Sequence, residues 1–170
     1  MEWLPFDLHP EYPPEGIAID DLSRRYGHDV RVSQARMFEA AGLPNAERDF
    51  VPSSHAALNV AELARERGVH DAIHASLMSA YWGEGRDIGD AEVLVELGEP
   101  LGLDPDEIRD AAVGSRYEDR IRGSTAAVLE MGAGGVPAFV VDDRLLIPGA
   151  QPHELFERVL EKLGYGDSVP

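Results

Sequence analysis

The sequence predicts an α/β chain with strands at its two ends and a helical middle. Three observations carry this reading. Leu4, Phe6 and Leu8 alternate with Trp3, Pro5 and Asp7, the period of two expected of a half-buried strand. From about residue 17 to 132 apolar residues recur at helical spacing. At Gly134 the texture changes to a short β-branched run, Val136 to Val141, followed by a return at Leu145 to Ile147.

The opening strand is stopped by Pro10, Pro13 and Pro14, and the link runs to Gly16. Leu22, Tyr26, Val30, Val32, Ala35, Phe38 and Ala41 then mark inward helical positions, with breaks at Gly27 and Gly42. Phe50-Val51 is the one strand candidate in this middle region. Ser53 to Gly68 carries Ala56, Ala57, Val60, Leu63 and Ala64 on one face, and Ser53 or Ser54 supplies an N-cap. Val69 to Gly83 is a second helix, with a stripe of Ile73, Leu77, Ala80 and Tyr81. Asp90 opens a short helix toward Leu97, and Asp104-Pro105-Asp106-Glu107 has the order of a capping box. Ser115 to Met131 forms one more helix, ending at Gly132. Asp142-Asp143 turns the terminal hairpin, and Pro152 to Leu163 closes the chain as an amphipathic helix. The resulting segments are 1–16, a strand and linker; 17–132, all helical; and 133–170, hairpin and helix.

With 170 residues, 44% hydrophobic, the chain is one domain's length and has material for a core. A net charge of -17 and the absence of any Lys/Arg cluster argue against nucleic acid, whose phosphates require clustered cations. No apolar run approaches the ~18 residues of a membrane span, and no charged-then-apolar leader precedes the first strand, so a cytoplasmic location without a membrane partner is expected. The cysteine count is zero, which removes disulfides, thiolate metal sites and cysteine nucleophiles from this chain.

Several constellations have a plain structural explanation. Gly132-Ala-Gly-Gly135 follows a helix and precedes a strand, the reverse of a phosphate loop. His70 and His74, with Asp71 and His55 as further donors, lack a zincin pattern and are read as solvated helix residues. Asp87, Asp90 and Glu92 lack calcium-loop spacing and are read as capping acids. No metal and no cofactor is therefore expected. Gly135-Val-Pro-Ala-Phe139 is different, because a proline at the head of a buried strand gives up a ladder hydrogen bond. A cis Val136-Pro137 bond would turn Val136 outward, leaving its N–H and C=O for an extended ligand. A trans proline opening an edge strand is the alternative.

Trp3-x-Pro-Phe-x-Leu-His-Pro10, Glu84-Gly-Arg-Asp-Ile-Gly-Asp90, Gly135-Val-Pro-Ala-Phe139 and Pro148-Gly-Ala-Gln151 occur in this order across nearly the whole chain. As an ordered set they resemble the FrnE-type branch of the DsbA-like thiol-disulfide oxidoreductases. That resemblance implies a thioredoxin-like fold with an inserted all-helical subdomain and a cis Pro137. It also implies that Val136 and Pro137 bind substrate, either a peptide or a small thiol or disulfide.

In that family a first strand leads into Cys-x-x-Cys at a helix N-terminus, where the helix dipole lowers the thiol pKa. Here Trp3 to Leu8 corresponds to the second strand, so the resemblance implies an N-terminally truncated form with no catalytic residue of its own. An in-frame Cys-x-x-Cys is expected upstream of Met1. The strand that would separate Trp3–Leu8 from Ala138–Val141 is absent, which leaves two strand edges without partners. Two other readings use the same scaffold. One is a glutathione-dependent 2-hydroxychromene-2-carboxylate isomerase, with glutathione as its partner. The other is a non-catalytic binding module, with homodimerisation through open strand edges.

Overall fold

The structure is a computed structural model that describes residues 2–165; Met1 and 166–170 lie outside the described residues. A two-residue strand β1 (Ile17–Ala18) runs directly into α1 (Ile19–Tyr26), which is followed by α2 (Val30–Ala41) and by β2 (Phe50–Val51). Then come α3 (His55–Glu66) and α4 (His70–Met78), a π-helical turn over Ser79–Gly83, α5 (Ala91–Gly98), a 3-10 turn over Glu99–Leu101, α6 (Pro105–Val113) and α7 (Glu118–Glu130). A hairpin of β3 (Ala138–Val141) and β4 (Leu145–Pro148) leads to α8 (His153–Lys162). The chain forms two compact units that divide inside α7, after Ser124.

In the first unit the core lies around α3. Ala57, Val60, Leu63 and Ala64 of α3 pack with Ile73 and Leu77 of α4, Leu94 and Val95 of α5, and Ile108, Ala111 and Ala112 of α6. Each fully buried Leu or Ile contributes about 1.5–3 kcal/mol, so this cluster dominates the unit's stability. Sequence spacing predicts one buried stripe on α3, but Asn59, Ala61 and Glu62 are buried as well. Helices packed on several sides leave α3 no solvent face, which periodicity within one helix does not reveal.

Caps define the ends. Asp29, Asp90 and Asp104 each accept from backbone N–H groups of the first turn. Asp104 Oδ1 accepts from Asp106 at 2.9 Å and from Glu107 at 3.1 Å. The reciprocal arm of the expected capping box is replaced, because the Glu107 carboxylate pairs with Arg67 instead. At the start of α3, Ser53 rather than Ser54 accepts from the His55 N–H, at 3.4 Å. Gly27 and Gly42 end α1 and α2 in the left-handed conformation (φ 72° and 65°), which costs glycine nothing sterically.

Two expectations require correction. Trp3 to Leu8 forms no strand, because β1 pairs only with β2 and β3 only with β4 among the described residues, so this segment has no ladder to join. The helical middle also holds a short ladder: Phe50-Val51 is a strand as its sequence suggests, but Ile17 and Ala18, assigned to no strand by their spacing, pair antiparallel with Val51 and Phe50, and the Ile19 N–H continues to the Asp49 carbonyl at 2.9 Å.

In the second unit the hairpin register sets Phe139 opposite Ile147 and Val141 opposite Leu145. Asp142 and Asp143 both adopt positive φ (54° and 53°), and the Arg144 N–H donates to the Val141 carbonyl at 3.2 Å, closing the turn. Asp tolerates this conformation better than most residues with a Cβ. The α8 face of Leu155, Phe156, Val159 and Leu160 is half-buried, and Phe156 meets Phe139 edge-on with ring centroids 4.8 Å apart. A single two-stranded hairpin covers too little area to bury that face fully, so no residue of α8 reaches full burial.

Candidate functional site

The site begins where α7 ends. The Gly132 N–H donates to Leu129 and the Ala133 N–H to Val128, which terminates the helix with Gly132 at φ 93°. Ala133 is buried, and Gly134 and Gly135 lead outward to Val136. A side chain at Gly134 or Gly135 would meet nothing within 4 Å, so packing does not require glycine at either position.

The Val136-Pro137 peptide bond is cis. The Pro137 carbonyl accepts from the Gly149 N–H at 2.8 Å, and Ala138 stands opposite Pro148. Thus the Gly135–Phe139 and Pro148–Gln151 motifs, separate in sequence, meet at one end of the hairpin. Gly149 has φ 75°, and the Gln151 side-chain amide donates to the Pro148 carbonyl at 2.8 Å, which fixes the return of the chain.

The Pro137–Gly149 bond also determines which backbone groups face outward. Antiparallel pairs alternate between bonded and non-bonded positions. With Ala138 and Pro148 at a non-bonded position, Phe139 and Val141 exchange bonds with β4, while the N–H and C=O of Ala138 and Val140 point away from it. No strand among the described residues covers that edge. Val136 is 56% exposed, and neither its N–H nor its C=O has a hydrogen-bond partner among the described residues. A row of free donors and acceptors of this kind binds an extended chain by completing a ladder.

The surroundings carry little charge. Val136 to Val141 contains no ionisable side chain. At the hairpin's far end the Tyr165 phenol donates to Asp142 at 2.7 Å, and that bond raises the Tyr165 pKa. Within Val136 to Val141 the site therefore offers backbone hydrogen bonding and apolar contact.

The other sequence motifs serve the first unit. In Glu84–Asp90, Ile88 is buried, the Gly89 N–H donates to Asp87 at 2.8 Å, and Asp90 caps α5. Gly85 has φ 70°, and a Cβ there would lie 3.1 Å from the Glu47 carbonyl oxygen. His70 and His74 share a face with ring centroids 6.0 Å apart, and no group of three or more metal-ligating side chains exists among the described residues. An open depression of about 750 Å³ between α1 and α2 is lined by Asp20, Arg24 and Arg31, among others. Its cations are engaged: Arg31 pairs with Asp20 at 2.7 Å, and Arg24 pairs with Asp21. No described helix is long and apolar enough to cross a membrane.

Sequence reading missed the Gly149-to-Pro137 bond, although Pro148-Gly149 marks the turn that makes it. It also missed Glu62, whose burial became predictable only once α3 was known to be surrounded.

Known proteins give this geometry a context. A structure of a probable DsbA oxidoreductase from Streptomyces coelicolor superimposes with a TM-score of 0.81 at 30% identity, covering 97% of this chain and 75% of the other. A putative protein disulfide isomerase from Nitrosomonas europaea matches in fold with a TM-score of 0.61 at 18% identity, over 75% of this chain and 68% of the other. The Bacillus subtilis (strain 168) protein YwbO, described as uncharacterized, is 28% identical over 165 residues, which is 94% of this chain and 80% of that protein. Small sheets among many helices are thus the thioredoxin-like DsbA fold with its helical insertion. Matched over residues 1–161, the chain belongs to the family of the DSBA-like thioredoxin domain.

Proposed function

We propose that this chain binds extended peptide or small thiol and disulfide substrates of the FrnE-type DsbA branch at Val136 and Pro137. We further propose that the 170-residue form carries no dithiol redox turnover of its own. The observation that supports the binding role is the exposed Val136 backbone, whose N–H and C=O lack partners among the described residues at the head of an open strand edge. The zero cysteine count supports the second part, because dithiol exchange needs a thiolate to attack the substrate disulfide.

The binding role is tested by titrating an extended cysteine-containing peptide into isotopically labelled protein. Amide shifts are expected to concentrate at Val136, Ala138 and Val140. Val136→Pro removes one donor and should weaken binding about 3- to 10-fold, the value of one net hydrogen bond. Val136→Thr keeps the backbone donor and should bind as the parent does. Shifts located elsewhere, or equal affinity for Val136→Pro, would refute the assignment. An insulin-reduction assay should show no turnover above buffer, and turnover by this chain would overturn the second part.

A further inference from the structure

Residues 2–7 form neither helix nor turn and join no ladder, and Pro5 restricts Leu4 before it to extended backbone. In an extended chain the backbone groups of successive residues point to opposite sides. One side of this segment is taken up by the chain's own helices. The Trp3 carbonyl accepts from Arg65 of α3, the Trp3 indole stacks on His74 of α4 with ring centroids 4.5 Å apart, and Pro5 is buried. Pro5 has no N–H to leave unpaired there. The N–H and C=O of Leu4 and Phe6 face the other way and have no hydrogen-bond partner among the described residues. The Leu4 side chain, on that free side, is 56% exposed.

The outer edge of β3 presents a row of matching length. Ala138 and Val140 turn their N–H and C=O away from β4, while Pro137, which has no N–H, directs its carbonyl to Gly149. Exposed edges are usually blunted by charge or covered, yet Val136 to Val141 holds no ionisable side chain. The side chains agree with the backbone. Phe139 meets Phe156 of α8, so Ala138 and Val140 lie on the opposite face of the hairpin, beside Pro148 and Leu146 across the ladder. With Phe6 set antiparallel to Ala138 and Leu4 to Val140, each pair exchanges both backbone bonds. The large Phe6 then stands beside the small Ala138, and Leu4 covers Val140. Neither proline falls on the side that pairs. A net charge of -17 sets two copies to repel, which favours contact through uncharged strips, and Trp3 to Phe6 and Val136 to Val141 are both such strips. Within one chain β3 pairs only with β4 among the described residues.

We propose that the partner of this edge is a second copy of the chain: Leu4 to Phe6 of each copy adds antiparallel to β3 of the other, in a reciprocal dimer. The inference rests on the open β3 edge to which the peptide-binding role is assigned, and it makes the dimer and an extended peptide competitors for that edge.

Light scattering of the full chain at about 0.5 mM, where even an interface with a Kd of about 0.1 mM is populated, should give the mass of two chains. Leu4→Pro removes a donor aimed at β3, and in a reciprocal dimer the bond is lost twice, so dimerisation should weaken about 10- to 100-fold. Leu4→Ala loses the same side chain but keeps the donor and should dimerise more tightly than Leu4→Pro. The register is read by cross-linking, because the chain has no cysteine of its own. Leu4→Cys mixed with Val140→Cys, and Phe6→Cys mixed with Ala138→Cys, bring thiols to bonded pairs about 5.5 Å apart at Cα, within disulfide reach. Leu4→Cys mixed with Ala138→Cys is out of register and should cross-link less. A monomeric mass, equal dimerisation of Leu4→Pro and Leu4→Ala, equal in-register and out-of-register yields, or a disulfide closing within one chain of Leu4→Cys/Val140→Cys would each overturn the exchange. A monomer whose amides at Val136, Ala138 and Val140 still shift with a cysteine-containing peptide would overturn the exchange and leave the peptide role standing. An in-register dimer whose Leu4→Pro variant takes up no such peptide would do the reverse.

Discussion

Glu62 Oε2 lies 2.6 Å from Nε of Arg120, and the Glu62 side chain is only 1% exposed. Arg65, one turn later on the same helix, approaches the same carboxylate at 3.2 Å. A buried carboxylate between two guanidiniums gains less than its geometry suggests, because desolvation opposes the attraction, but removing one partner leaves the other charges uncompensated. Glu62→Leu is expected to destabilise the protein by about 3 kcal/mol, read from urea unfolding. Arg120→Ala, whose side chain is half-exposed, should cost about 1 kcal/mol, near the value of a surface pair. Equal losses for the two variants would show that the carboxylate, not its burial, sets the effect.

Gly98 closes α5, and a Cβ there would lie 2.7 Å from Cδ1 of Ile108 and 3.2 Å from Cδ1 of Leu103. Helix propensity favours Gly98→Ala by about 1 kcal/mol. Overpacking a core opposes it by about 1–3 kcal/mol, and Ile108, fully buried, has little room to yield. The net expectation is a loss of about 1 kcal/mol in chemical denaturation, and a gain in stability would show that Ile108 can shift rotamer freely.

Asp104 accepts two backbone N–H groups at the start of α6. Asp104→Ala should cost about 1 kcal/mol, and Asp104→Ser should recover most of it. The helix presents Ile108 to the core, so the loss is expected in the global unfolding midpoint as well as in local amide exchange.

Burial, reinforced by its hydrogen bond to Glu66, pushes the Tyr117 phenol up to about 12. A phenol with a raised folded-state pKa retains its proton longer when folded than when unfolded. Its contribution is thus complete below the unfolded value of about 10 and is lost as pH rises toward 12. Tyr12 and Tyr81 are shifted in the same direction by burial, so Tyr117→Phe should lessen the alkaline loss of stability without abolishing it. Urea midpoints at pH 8 and pH 11 for both proteins check this. On the acid side the lowered His74 pKa means that stability falls once pH drops below the ordinary imidazole value of about 6.5.

Local signals were legible in the sequence where one residue type settles the geometry. Asp104-Pro105 marked the start of α6, Gly27 and Gly42 the ends of α1 and α2, and Asp142-Asp143 the hairpin tip. The apolar positions Val60, Leu63, Ile73 and Leu77 were read from spacing and are all buried. Relations that depend on a distant partner were not legible. The alternation of Leu4, Phe6 and Leu8 has the period of a strand, but a ladder needs a neighbour, and sequence period says nothing about one. Glu62 looks like a solvent-facing acid until Arg120, far along the chain, is placed against it. At the candidate site the cis Val136-Pro137 bond had a motif to mark it, whereas the outward direction of Ala138 and Val140 followed only from the Gly149 bond.

The burial of α3 on nearly every side has a consequence for how this chain can diverge. A helix with a solvent face accepts substitutions there, whereas Ala57 to Ala64 holds seven buried positions out of eight and has almost none to spare. By contrast, α2 has no fully buried residue and can exchange most of its side chains freely. Sequence drift in this protein should therefore be slowest in α3, which would stand out in any comparison of variants for reasons of packing alone.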